Sequence, residues 1–414
     1  MCRIDSPGCP DYITSSVLIS LMKKRWDIFC KVIDNYGDIG ITWRLAQQLA
    51  DEHGLAPRLW VDELESLERL CTAVDATLDA QTISGVELRR WNADADSAQP
   101  GDVVVEAFAC ELPETYQRSM AMKKRMPAWI NLDYLSAEDW VSGCHGLPSK
   151  HPRLPLTKYF FFPGFSRDTG GLLRERNLLD TRDAFQGNAA ARRGFWTRLG
   201  VPKRQRNEWR VSLFCYANAP VPELLKGLSA HPHPVRLIVT QGPAAIQVAD
   251  WFGCSSTPGT EADLGNLGVS FIPFVEQSDY DHVLWGCDLN FVRGEDSFVR
   301  GQWAGRPVVW HIYPQAEGAH EPKLAGFTRR YVHGLHEPRR LAVERFTRVW
   351  NGLSVATPHD APFEAQFAEF WRAFAANQSA LRLHAEEWAW KLAEQPDLAA
   401  QLVEFVEKRP RSGV

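Results

Sequence analysis

A chain of 414 residues exceeds what one hydrophobic core normally organises, so its length calls for two domains. With 45% apolar, 23% charged and 11% aromatic residues, it has the composition of a globular protein that can bury both cores. A net charge of -5 excludes a nucleic-acid binder that works by neutralising phosphates, no apolar run reaches the ~20 residues of a membrane-spanning helix, and a basic protein partner stays open.

Residues 1–22 read as an N-terminal extension. The stretch from Tyr12 to Met22 is mildly apolar, but only Arg3 precedes it, Lys23-Lys24-Arg25 follows it and no small-residue cleavage site is evident. It is expected to be a tail outside the fold, or an upstream start with Met22 as the working initiator. Trp26 to Ile33 is the first strand pattern and ends at the loop Asp34-Asn35-Tyr36-Gly37-Asp38-Ile39-Gly40. From Ile41 to Ala50, Leu45, Ala46 and Leu49 recur at helical spacing until Gly54 and Pro57 stop the pattern. Leu59–Val61, Val103–Val105 and Ala128–Leu132 read as further strands. Ser166 to Asn207, with Gly170-Gly171 and weak periodicity, reads as the inter-domain region. A second alternating series follows: strands at Val211–Tyr216, Val235–Thr240, Val269–Phe274, Leu289–Val292 and Pro307–Trp310, with a helix over Pro222–Leu228. From Glu364 to about Lys408 the pattern is helical throughout.

Short apolar strands without alternation, each followed by a helical pattern, predict parallel sheets covered on both faces, hence an α/β protein with two Rossmann-like domains. Ligands of such sheets bind outside the carboxyl ends of the strands, so the loops after strands carry the interest. The nine cysteines are odd in number and scattered, and Cys30, Cys110, Cys215 and Cys287 sit in apolar runs as buried thiols would. That usage predicts a reducing, cytoplasmic setting. His145, His151, His282, His311 and His320 lack metal-ligand spacing, so no metal is expected. Gly143-Cys144-His145-Gly146 reads as a structured loop.

Two loops stand out. Asp34 and Asp38 lie four residues apart after the first strand, beside Gly37 and Gly40; G-x-G-x-x-G, which a dinucleotide would require, is absent. The alternative for Asp38 is a cap on the following helix. The second loop is Arg293-Gly294-Glu295-Asp296-Ser297, where Asp296 or Ser297 at an N-cap would leave free amides for a diphosphate. Arg293 could grip phosphate and Glu295 could accept bonds from sugar hydroxyls. The alternative here is an ordinary capped helix facing solvent. Phe214, Tyr216, Phe274, Gln277 and Tyr313 cluster at strand ends, where aromatic rings and an amide suit a nucleobase, although each taken singly reads as core.

These runs, together with Ser136-Ala137-Glu138-Asp139-Trp140 through Cys144-His145-Gly146-Leu147-Pro148 and with Phe160-Phe161-Phe162-Pro163-Gly164-Phe165, closely resemble the EarP family. The resemblance runs from about Lys24 to the C-terminus. It implies an inverting glycosyltransferase of the GT-B fold that moves L-rhamnose from dTDP-β-L-rhamnose to one arginine of elongation factor P. By that resemblance Asp34 and Asp38 are the acceptor-side carboxylates, with Asn35 beside them. Phe214, Tyr216, Phe274, Gln277 and Tyr313 hold the thymidine, and Arg293, Glu295, Asp296 and Ser297 the ribose and diphosphate. The chain then divides into an acceptor domain (23–180), a linker (181–207), a nucleotide-sugar domain (208–385) and a terminal helix returning to the first domain (386–414).

An arginine is protonated at ordinary pH and is a poor nucleophile, so a carboxylate must hold it and accept its proton; Asp34 is the first candidate, with Asp38 orienting and Glu295 positioning the donor. Two rivals share parts of this pattern. An epimerase or a transferase with a small acceptor would keep the diphosphate site. A non-catalytic adaptor docking on a translation factor through a Trp-rich surface would need neither the aspartates nor a nucleotide pocket.

Overall fold

The computed structural model describes residues 23–34, 36–92, 95, 97–355 and 361–409. The expected extension, the Met22 start and Asn35 lie outside them.

The first body is an eight-stranded sheet of β1 (Arg25–Cys30), β2 (Ala56–Val61), β3 (Ala80–Ile83), β4 (Val86–Arg90), β5 (Val103–Ala107), β6 (Ala128–Leu132), β7 (Pro148–Lys150) and β8 (Thr157–Phe161), in the order β3-β4-β2-β1-β5-β6-β8-β7. The central pairs are parallel, with Ile28 of β1 level with Leu59 of β2 and Val105 of β5. β5 is buried along its whole length, which explains a valine run without alternation. Antiparallel hairpins, β3 with β4 and β7 with β8, close the two edges. They escaped the sequence because Ala80–Ile83 and Pro148–Lys150 are short and largely polar, as edge strands often are.

The second body is a six-stranded sheet of β9 (Trp209–Leu213), β10 (Val235–Val239), β11 (Glu261–Leu264), β12 (Leu267–Phe271), β13 (Leu289–Arg293) and β14 (Val308–His311), in the order β11-β12-β10-β9-β13-β14. β11 is its antiparallel member. In each sheet the chain builds outward on one side and then crosses to the other, first from β4 to β5 and then from β12 to β13. The resulting switch points lie between β1 and β5 and between β9 and β13, the crevices where ligands of open parallel sheets bind.

The stretch with weak periodicity turns out to hold two helices, Leu178–Gly187 and Ala189–Arg198, the second capped by the Asn188 side chain. Phe185, Phe195 and Trp196 bury against the second core, and Gln186 donates to the carbonyls of Trp285 and Ala304. So few apolar residues on charged helices leave only a faint period, which is why the sequence there has the pattern of a linker. Helix Phe363–Ala375 packs Phe367 and Trp371 on Phe346 of the second body. Helix Leu398–Glu407 instead buries Leu398, Ala399, Leu402 and Val406 in the first core, with the Leu398 amide donating to the Leu172 carbonyl at 3.0 Å.

The two bodies are braced through charge as well as packing. Arg44, on helix Gly37–His53, donates to Asp281 at 3.1 Å, to Asp296 at 3.0 Å and to Glu175 at 3.4 Å. Arg300 meets the same Asp281 and Glu175 at 2.6 Å each. Burial pushes the Glu175 carboxyl up, but Arg300 and Arg44 outweigh it and hold it at about 2. The tryptophans serve these cores: Trp26, Trp43, Trp303, Trp350 and Trp371 are fully buried. Among the described residues only Trp140 and Trp390 are largely exposed, at 51% and 55%, which removes the Trp-rich surface an adaptor would need. No described helix is long and apolar enough to cross a membrane.

Candidate active site

The loop leaving β1 is folded by one of its own aspartates. Asp38 sits in the first turn of helix Gly37–His53, yet it does not cap it: the N-cap is Tyr36, without a side-chain bond. The Asp38 carboxylate reaches back and accepts the amides of Ile33 at 2.9 Å and Asp34 at 3.0 Å. Burial raises its pKa, the two amides oppose that rise, and neighbouring Asp34 adds to it. Gly40 follows at a point where a Cβ would lie 3.0 Å from Gln277 Nε2, so a side chain there would push the bodies apart.

With Asp38 so committed, Asp34 is turned outward. Its Oδ2 accepts a hydrogen bond from the Tyr216 hydroxyl, across the cleft, at 2.6 Å. Burial, reinforced by Asp34, keeps the Tyr216 proton in place, so tyrosine donates and the aspartate stays the acceptor. Directly opposite lies Gly294, with φ of 59°; a Cβ there would come within 2.7 Å of Asp34 Oδ2. Only glycine combines that backbone with that approach.

The loop leaving β13 departs from the expected capping. Its helix, Asp296–Trp303, has Glu295 as N-cap and no side-chain cap bond, so neither Asp296 nor Ser297 fills that role. The Ser297 hydroxyl accepts the Arg293 amide at 3.1 Å and donates to the Arg293 carbonyl, stapling the loop. Asp296 accepts Arg44 and, at 2.9 Å, the Gln277 amide nitrogen, which also donates to the Gly40 carbonyl at 3.0 Å. Asp296 and Gln277 therefore join the bodies, with their polar contacts already spoken for. Arg293 is the counter-example. Its buried guanidinium lies 4.4 Å from the Phe214 ring centroid and 4.7 Å from that of Tyr216, and it makes no ion pair with a described carboxylate.

Two cavities meet here. The first, about 580 Å³, is lined by Phe214, Phe274, Gln277, Tyr280, Arg293, Asp296, Ser297 and Asp34. Phe274 packs on Tyr36 and Phe214 on Tyr280, which makes its walls aromatic. The second, about 700 Å³, is lined by Asp34, Asp38, Tyr134, Glu295, Tyr313 and Lys323. Asp34, Gly37 and Gly294 belong to both. Tyr313, expected with the base, is 45% exposed and sits in the second cavity, edge-on to Tyr216 at 5.4 Å. Glu295 accepts the Leu135 amide at 2.9 Å, and burial raises its pKa to about 7.

Sequence reasoning missed Tyr134, Arg44, His311 and Lys323. Tyr134 follows β6, so the rule that pointed to the other strand-end loops could have found it. Arg44 interrupts a buried run, Ile39 to Leu45, and a charge there signals a buried partner. His311 ends β14 and accepts the Tyr216 amide at 3.1 Å; burial, helped by Arg293, lowers its pKa to about 4, so it is neutral at ordinary pH. Lys323 gave no local signal at all.

Two Rossmann-like bodies, one offering carboxylates and the other an aromatic-walled cavity with a buried arginine at their switch points, define a glycosyltransferase of the GT-B type. Residues 26–407 match the family model for Elongation-Factor P (EF-P) rhamnosyltransferase EarP, and the chain belongs to that family. It is 47% identical over 385 residues to a protein-arginine rhamnosyltransferase of Pseudomonas putida, covering 93% of this chain and 99% of that one. The Pseudomonas aeruginosa enzyme of the same name is 45% identical over 92% of this chain and 98% of its own. Among solved structures, one described as the structural basis for EarP-mediated arginine glycosylation of translation elongation factor EF-P matches with TM-score 0.63 and 35% identity, over 94% of this chain and all (100%) of that one. A Rickettsia africae glycosyltransferase, at TM-score 0.50 and 11% identity over 93% and 97%, shares the fold.

Proposed function

We propose that this enzyme transfers L-rhamnose from dTDP-β-L-rhamnose to one arginine side chain of elongation factor P, with inversion and without a metal, in the cytoplasm where that factor works. The observation that carries the reading is the place of Asp34, whose carboxylate lies on the wall shared by the two cavities.

The nucleotide belongs in the first cavity, its base against Phe214 and Phe274. Its diphosphate belongs beside Arg293, because this buried guanidinium packs on two rings and pairs with no described carboxylate, and a diphosphate supplies a counter-charge. The uncapped first turn of helix Asp296–Trp303 adds amides and a partial positive charge. Asp296 and Ser297 contribute by holding that loop in shape. The acceptor arginine enters the second cavity, where carboxylates favour a cation.

Asp34 then takes the guanidinium by hydrogen bonds and directs one nitrogen at the anomeric carbon. As the C–N bond forms, the C–O bond to the diphosphate breaks, its electron pair leaves with the phosphate oxygen, and the nitrogen's proton passes to Asp34. Arg293 and the helix amides meet the charge that gathers on the leaving group. Asp38 keeps the loop folded so that Asp34 faces the substrate, and Glu295 accepts hydrogen bonds from the sugar. Incubating elongation factor P with this enzyme and dTDP-β-L-rhamnose tests the reading by intact-mass spectrometry. A gain of one deoxyhexose, lost when the acceptor arginine is replaced by lysine, is expected; an unchanged mass overturns it.

A further inference from the structure

Lys323 is a cation in an acidic place. It lines the second cavity with Asp34, Asp38 and Glu295, its ammonium lies 5.5 Å from the Tyr134 ring centroid, and it makes no ion pair within 4.0 Å of a described carboxylate. It arrives there on helix His320–Tyr331 of the second body, which is pressed against the segment after β6 of the first. On that helix Gly326 sits where a Cβ would lie 3.1 Å from the Ala137 carbonyl, Arg330 donates to the same carbonyl at 2.8 Å, and Arg329 pairs with Asp139 at 2.8 Å. The docking of two bodies therefore sets the position of this ammonium.

We propose that Lys323 is a positioning residue that acts through Glu295: its ammonium supplies the counter-charge that keeps Glu295 a carboxylate, able to accept hydrogen bonds in the cavity it shares with Asp34. The part given to Glu295 in transfer rests on the function proposed above. The charge coupling between the two side chains does not.

The groups facing Glu295 decide the sign. Burial favours its neutral form. Lys323 is the first influence working the other way, followed by the Leu135 amide, while Asp38 and Asp133 side with burial; together they leave the group at about 7. Lys323 faces Glu295, Asp133 and Glu138, which support its charge against burial that lowers its pKa. Removing the ammonium deletes the largest influence that keeps Glu295 ionised. At neutral pH the carboxyl would then hold its proton and donate where it should accept.

The experiment is a 13C-carboxyl NMR titration of Glu295 in the full-length enzyme, comparing wild type with Lys323→Met, Lys323→Gln and Lys323→Arg. The midpoint is expected to rise by about one unit or more in the first two and to stay near wild type in Lys323→Arg, since losing a nearby opposite charge raises a carboxyl by that order. dTDP affinity, which depends on the other cavity, should hold in all three and shows that they are folded. An unmoved midpoint in Lys323→Met and Lys323→Gln overturns the proposal. The acid limb of kcat/KM for transfer should move up with the midpoint, whereas a merely structural lysine would lower activity equally at every pH. A midpoint that moves while the transfer profile stays put retains the coupling and removes Glu295 from the chemistry, so the two failures are distinguishable.

Discussion

Two loops face each other across the cleft, Asp34 to Gly40 after β1 and Arg293 to Ser297 after β13, and each runs directly into a helix. In the first, Asp38 spends its carboxylate on the amides of Ile33 and Asp34, and Asp34 is left for the cavity. In the second, Ser297 staples Arg293 and Asp296 holds Arg44 and Gln277, and Arg293 pairs with no described carboxylate. Each loop thus commits some polar groups to its own shape and keeps one of opposite charge for substrate. An acidic group suits a cationic acceptor and a basic group suits a diphosphate, so the difference between the loops is a division of labour.

The sharpest way to break that comparison is Asp34→Asn. Loss of a general base costs about 10²- to 10⁴-fold in rate, and dTDP affinity should remain nearly intact by calorimetry. An affinity lost as far as in Arg293→Ala would show that the loops do not divide the work. Arg44→Met attacks the brace they share. It leaves Asp281 and Asp296 buried beside a missing arginine, which costs about 3–5 kcal/mol when one partner of a buried pair is removed, read by urea unfolding. Because Arg300 still holds Asp281, the lower end is expected. Arg293→Ala should weaken dTDP binding by about 1.5–3 kcal/mol, the worth of a charge-assisted bond, while kcat at saturating donor falls less than in Asp34→Asn.

The smallest effect concerns His311, behind Tyr216. Its folded pKa of about 4 lies below the ordinary 6.5, so between those values the unfolded chain binds more protons. Its contribution is complete above about 6.5 and is lost as pH falls toward about 4. His311→Gln keeps an acceptor for the Tyr216 amide and should flatten the fall in stability over that window by less than about 3 kcal/mol, measured as the difference from wild type by chemical denaturation at pH 7.5, 6 and 5.

Much of this molecule was legible in the chain. The buried parallel strands announce themselves as apolar runs because both faces are covered, and the loops worth inspecting follow from their carboxyl ends. What stayed hidden has two physical causes. Edge strands such as Ala80–Ile83 and the helix Ala189–Arg198 bury little, so they leave little periodicity to read. Side chains that meet across the bodies leave none, because the residues that share Arg44 or surround Lys323 are far apart in sequence.

Residue type and local spacing were sufficient to determine two α/β bodies, the strand-end loops and the presence of aspartates, an arginine and aromatic rings within them. Tertiary structure decided which of those groups remained available: that Asp38 folds its loop, that Asp296 and Gln277 bind the bodies together, that Tyr313 lies in the second cavity, and that Lys323 faces Glu295. The reason is that a hydrogen-bonding group can be spent only where its partner arrives, and for Asp296 and Gln277 that partner comes from the other body.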